Sequence, residues 1–157
     1  MKKMLIFLTI IVALFIIIGI MTNIQKDDKL SDGNPYGKDD LKSSTVDQLD
    51  DPNYQNLILP DELDKKLADK SDITVYYYSP ECPHCVRTTP VVAPLAEEMG
   101  IDLVQYNILE FDQGWNDYGI EETPTIIHYK NGKEQDRISG YQEKEVFKNW
   151  FEKNDIN

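Results

Sequence analysis

The chain has 157 residues, a formal net charge of -12 and two cysteines, a length that holds one ordinary domain plus appendages. The acidic balance excludes a binder of phosphate backbones, which needs clustered Lys and Arg, so no nucleic-acid partner is expected. Two cysteines, Cys82 and Cys85, exclude a disulfide framework.

Met1-Lys2-Lys3 precedes an uncharged apolar run, Met4 to Met21, in which Thr9 is the one polar side chain. As a helix the run spans ~27 Å, close to the hydrocarbon thickness of a bilayer. It exceeds the roughly 7–15 residues of a signal-peptide core, and no small-x-small cleavage pattern follows it. Lys2 and Lys3 lie before the run and a balanced Lys26-Asp27-Asp28-Lys29 after it. That bias keeps the N-terminus cytoplasmic and exports the remainder. Residues 1–21 are therefore expected to be a cytoplasmic stub and a transmembrane signal-anchor, with a cleaved signal peptide as the alternative. Either case puts the rest on the extracytoplasmic side of the cell membrane, where disulfides persist.

From 22 to 53, Asp, Lys, Ser, Asn and Gly dominate, with Pro35 and Pro52. Such a stretch buries too little apolar surface to offset its ordering, and reads as a flexible, disordered linker. The folded domain is expected over 54–157.

Within it, Pro60 and Asp61 open a short helix to Lys70, with Leu63 and Leu67 on one face. Ile73 to Tyr78 is β-branched and aromatic, a buried strand, and its tyrosines are read as strand packing, with Tyr78 also lining the site as the alternative. Ser79-Pro80-Glu81 breaks it. A helix starts near Pro83, which has no N–H to leave unpaired, and runs to Met99. Pro90 and Pro94 disturb it and Gly100 stops it. Ile101 to Ile108 is a strand by alternation, and Leu109 to Gly119 a short irregular helix. Pro124 to Tyr129 is a third strand, turned at Asn131-Gly132 into Gln135 to Ser139. Glu143 to Glu152 closes as a helix with Val146, Phe147, Trp150 and Phe151 inward. The order predicts an α/β fold, a mixed central sheet flanked by helices.

Cys82-Pro83-His84-Cys85 falls where the first strand gives way to a helix. Unpaired N–H groups and the helix dipole at that N-terminus stabilise a thiolate on Cys82. A protonated His84 would favour the same anion. Cys85, one turn on, is placed to resolve a mixed disulfide by attacking the Cys82 sulfur.

From about Asp72 to Phe151 the sequence resembles the thioredoxin superfamily. The resemblance rests on the strand before Cys82, the Cys-Pro-His-Cys motif, Pro90 in the following helix, Gly119-Ile120-Glu121-Glu122-Thr123-Pro124-Thr125, and the Lys130-Asn131-Gly132-Lys133 hairpin with Gly140. It implies a thioredoxin-like fold, a cis Pro124, and a Thr123 backbone that pairs with an extended substrate peptide. Two departures stand out. The Pro-His dipeptide is that of strongly oxidising disulfide-forming enzymes, yet Cys85 to Pro124 leaves no room for the helical insertion those enzymes carry. The family's buried aspartate would fall at Tyr76.

Competing readings of the cysteine pair are weaker. Zinc wants four ligands, and His84 and His128 are the two histidines available. Haem attachment needs a histidine after Cys85, where Val86 stands. A structural disulfide this short closes little chain entropy. The expectation is therefore a thiol–disulfide oxidoreductase without metal or cofactor. Catalytic residues would be Cys82, Cys85, His84 and Pro83, and substrate-binding residues Thr123 and Pro124. Its partners would be exported proteins and a membrane redox partner, with the direction of electron flow open. The alternative is a non-catalytic accessory protein of the same fold, serving secreted-peptide or metal delivery.

Overall fold

A computed structural model describes the backbone of residues 2–31, 34–154 and 156, and the side chains of 6–21, 34–154 and 156. The chain divides into two compact units, 1–46 and 47–157.

The first unit holds α1 (Lys2–Ser31) and the short α2 (Ser43–Val46). Between Ile6 and Met21 the apolar side chains of α1 are mostly exposed, Phe7 at 66% and Phe15 at 71%. Among the described residues no helix is long and apolar enough to cross a membrane. The described side chains of α1 cover ~24 Å of helix, short of a ~30 Å hydrocarbon core, so the span expected over Met4 to Met21 is not found among them. The stretch expected as a structureless linker also differs. Its backbone is helical to Ser31, and Tyr36, Leu41 and Val46 are buried. A few spaced apolar residues suffice for local burial even where average composition is polar.

The second unit is an α/β sandwich. Its elements after the 3-10 turn Pro52–Tyr54 are α3 (Pro60–Ala68), β1 (Ile73–Tyr78), α4 (Pro83–Met99), β2 (Leu103–Asn107), α5 (Gly114–Asp117), β3 (Thr125–Lys130), β4 (Lys133–Ser139) and α6 (Lys144–Lys153). The sheet order is β2-β1-β3-β4. β1 and β2 are parallel, while β3 runs antiparallel to both β1 and β4. This is the mixed sheet flanked by helices that the element order predicts.

Every residue of β1 is buried because both sheet faces are covered. Its alternate side chains supply two cores. Tyr76 and Tyr78 enter the one built with Val92, Leu95 and Phe151, whereas Val75 and Tyr77 enter the one with Leu63 and Ile127. β2 departs from the expected alternation, since all five of its residues are buried. The chain before α3 covers its polar face: Leu57 bridges Gln105, and the Gln105 side-chain amide donates to the Asn53 carbonyl at 2.7 Å.

α4 continues through Pro90 and Pro94 and ends at Gly100, whose φ of 71° suits glycine. At the β3–β4 hairpin, Asn131 and Gly132 have φ of 53° and 71°, the paired left-handed conformation of a tight two-residue turn.

Candidate active site

The register of the sheet brings two loops together. β1 ends at Tyr78 and β3 begins at Thr125, and Tyr77 lies opposite Thr125 in the antiparallel pair. The turn leaving β1 and the Thr123-Pro124 segment entering β3 therefore meet at one sheet end. Cys82 N–H donates to the Ser79 carbonyl at 3.1 Å, closing that turn. On the other side Thr125 Oγ1 donates to the Glu122 carbonyl at 2.8 Å, and Gly140 N–H to the Pro124 carbonyl at 2.8 Å. The Thr123–Pro124 peptide is cis.

Cys82 is the N-cap of α4, in extended backbone, and Pro83 fills the first helical position. The Cys82 thiol donates to the Thr123 carbonyl at 3.2 Å, and its sulfur accepts from the Cys85 N–H at 3.4 Å. Burial pushes this half-exposed thiol up, but hydrogen bonds outweigh it. The Thr123 and Cys85 side chains and the backbone N–H groups of Cys85 and His84 hold it below the ordinary thiol range. Cys85 is the opposite case. It is 1% exposed, and burial first, then the neighbouring Cys82, push its thiol up to about 12. Both are free thiols. One helical turn thus holds a poised, accessible sulfur and a protected, protonated one.

The structure brings together the six residues singled out in the sequence, Cys82, Pro83, His84, Cys85, Thr123 and Pro124, with His84 in an unexpected setting. Its backbone N–H serves Cys82, while its ring Nδ1 lies 2.9 Å from the Arg87 guanidinium. Arg87 was not visible as a site residue in the sequence. Its position three residues after His84 on a helix is the signal that points to it.

Behind Cys85 lies a small hydroxyl cluster. Thr89 Oγ1 donates to the Cys85 carbonyl at 3.0 Å and sits 3.0 Å from the Tyr76 hydroxyl. Tyr78 stacks on Tyr76 at 5.6 Å and meets the ring of Tyr54 at 5.3 Å. Tyr76 and Tyr78 thus share one core with the cysteine pair as well as packing the strand. Among the described residues no group of three or more His, Cys, Asp or Glu side chains is placed to hold a metal ion. His128 is buried on β3 against Thr74, with 3.0 Å between Nδ1 and Oγ1.

A family model described as Thioredoxin matches residues 55–153. The thioredoxin of Rickettsia prowazekii is 26% identical over 110 residues, 69% of this chain and 97% of its own. That of Rickettsia conorii is 30% identical over 93 residues, 57% of this chain and 89% of its own. A solved thioredoxin variant from Halobacterium salinarum superposes with a TM-score of 0.54 at 24% identity, covering 65% of this chain and 91% of that one. This last likeness concerns the fold.

Proposed function

The chain belongs to the thioredoxin family, and from that premise we propose that it exchanges disulfides with exported proteins, Cys82 attacking and Cys85 resolving. The observation that carries this reading is the unequal pair at the start of α4: a thiol held below its ordinary range at the N-cap, and a buried partner pushed up to about 12.

In the reducing direction the Cys82 thiolate attacks one sulfur of a substrate disulfide. That S–S bond breaks, a Cys82 mixed disulfide forms, and the departing substrate thiolate takes a proton. Cys85 then loses its proton and attacks the Cys82 sulfur. The Cys82–Cys85 disulfide forms, the second substrate sulfur leaves as a thiolate, and two electrons have passed to the substrate. The oxidising direction is the same sequence reversed. Pro83 opens the helix that presents the N–H groups. Thr123 and Pro124 precede the paired part of β3, which supports a substrate-binding role in which the Thr123 backbone meets an extended peptide beside Cys82.

The compartment is part of the proposal. The apolar run from Met4 to Met21 with Lys2 and Lys3 before it supports a signal-anchor. Apolar side chains exposed on all sides of α1 between Ile6 and Met21 support it too, since a helical stretch apolar on all sides needs an apolar medium. A membrane redox partner would then renew the cysteine pair.

The test is a Cys85→Ser variant incubated with whole exported protein. The expected result is a set of covalent adducts that dissolve on reduction and vanish in Cys82→Ser. No adduct would sink the exchange reading. Equilibration of the pair with glutathione buffers assigns direction: about -120 to -180 mV marks a disulfide donor, and about -270 mV a reductant.

A further inference from the structure

The segment before α3, the second half of α4 and β2 line a cleft of about 490 Å³, within the roughly 300–1,000 Å³ of small-ligand sites. Ala93 on its wall lies ~16 Å along α4 from Cys82, so the cleft is separate from the cysteine pair. Pro52, Ala93, Pro94 and Leu103 give it a narrow apolar lining. Gln105 of β2 also lines it, is 3% exposed, and is held in place on three sides. Its N–H donates to the Asn56 carbonyl at 2.7 Å, and its carbonyl accepts from the Ile58 N–H at 2.9 Å. Its side-chain Nε2 donates to the Asn53 carbonyl at 2.7 Å. That bond fixes the amide, because the turned amide would set two oxygens against each other. The remaining atom, Oε1, is buried with no hydrogen-bond partner among the described residues. A buried oxygen left unpaired costs free energy, so the cleft is suited to a donor. It is suited to positive charge as well. Glu97 is the one charged side chain of the lining, is exposed, and has no ion-pair partner among the described residues.

We propose that this cleft binds an alkylguanidinium: an N–H group bonds Gln105 Oε1, the charge faces Glu97, and the aliphatic stem lies against Pro52, Ala93 and Pro94. Guanidinium suits the place better than ammonium. It is planar, holds its donors in one rigid fork, and is more weakly hydrated, so it enters a partly apolar cleft at less cost. An arginine side chain of a polypeptide and a free guanidino compound share this chemistry.

The experiment follows the Gln105 side-chain amide by NMR in the full chain, held in detergent micelles at about 0.15 M salt to screen loose adsorption. Propylguanidinium, uncharged propylurea and a blocked Gly-Arg-Gly peptide are titrated in parallel. Propylguanidinium is expected to shift the amide saturably and to bind several-fold more tightly than propylurea. Glu97→Gln should weaken it about two- to fivefold, and Gln105→Leu about tenfold or more. Ala93→Leu fills the cleft, removes no polar group, and should abolish binding. Cys82 alkylation at the wild-type rate shows that Glu97→Gln and Ala93→Leu are folded. A peptide that binds more tightly than propylguanidinium identifies a polypeptide arginine as the source, and equal affinity a free compound. Equal affinity for propylurea, binding that survives Ala93→Leu, or an amide that no probe shifts and only water contacts would overturn the proposal.

Discussion

Cys82 and Cys85 differ chiefly in which groups surround each sulfur. At Cys82 hydrogen bonds outweigh burial, while at Cys85 burial outweighs them. A limiting amount of alkylating reagent at neutral pH should therefore modify Cys82 and spare Cys85. Mass mapping of the adduct checks this, and equal labelling of both would contradict it. As pH falls through the lowered value at Cys82, its proton returns and the exchange rate must fall with it. His128 gives a separate pH effect, on stability. Burial lowers its basicity in the folded state, Lys130 adds to that, and Asp72 opposes. The unfolded chain then binds the proton more readily, so stability is full above pH ~6.5 and declines as pH falls below it. Urea midpoints at pH 7.5 and 5.5 should separate in the wild type and converge in His128→Gln, the helical signal serving as readout. Tyr76→Phe removes the hydroxyl beside Thr89 and should lower stability by about 1 kcal/mol, measured by the same melts.

At the scale of elements, most of the second unit was legible because its signals are local and agree. A β-branched aromatic run bounded by Ser79-Pro80 made β1, Pro83 and Gly100 bracketed α4, and Asn131-Gly132 made the hairpin. What escaped was tertiary. Gln105 looks like the polar face of a half-exposed strand, and the segment from Asn53 to Ile58 that bonds it is far away in sequence. The meeting of Cys82 with Thr123 was reachable only through resemblance, since their proximity comes from β1 and β3 pairing. Arg87 had only its helical spacing from His84 to mark it, and the Tyr141 ring that lies 4.9 Å from its guanidinium is far away along the chain. Gly132 shows the same limit. Its positive φ was readable from the turn, but not that a Cβ there would stand 2.1 Å from the Leu67 carbonyl at the end of α3. Gly132→Ala should therefore cost about 2 kcal/mol or more, combining a disfavoured φ with a displaced backbone. Thermal melts should show it, and exchange chemistry at 25 °C should be unchanged because the hairpin lies at the far end of β3 from Cys82.

For the whole molecule, the two units call for different environments. The 47–157 unit has cores on both faces of its sheet, so it satisfies its own apolar surface. Helix α1 does the reverse, since Leu8, Phe7, Phe15 and Ile16 all stand more than half exposed. A continuous apolar surface of this kind is unstable in water and calls for a partner. A lipid bilayer would cover it on every side at once, whereas a protein groove would cover one stripe. This predicts that the full chain floats with phospholipid vesicles in a density gradient at high salt, where electrostatic adsorption by an acidic protein is suppressed. A chain starting at Asp47 should stay in the aqueous layer. Replacing Val12 and Phe15 by Lys should release the full chain, because each charge near the centre of the run costs about 2.5–3.5 kcal/mol to insert. If the doubly substituted chain floated as before, α1 could not be the membrane-binding element, and its exposed face would belong to a protein partner.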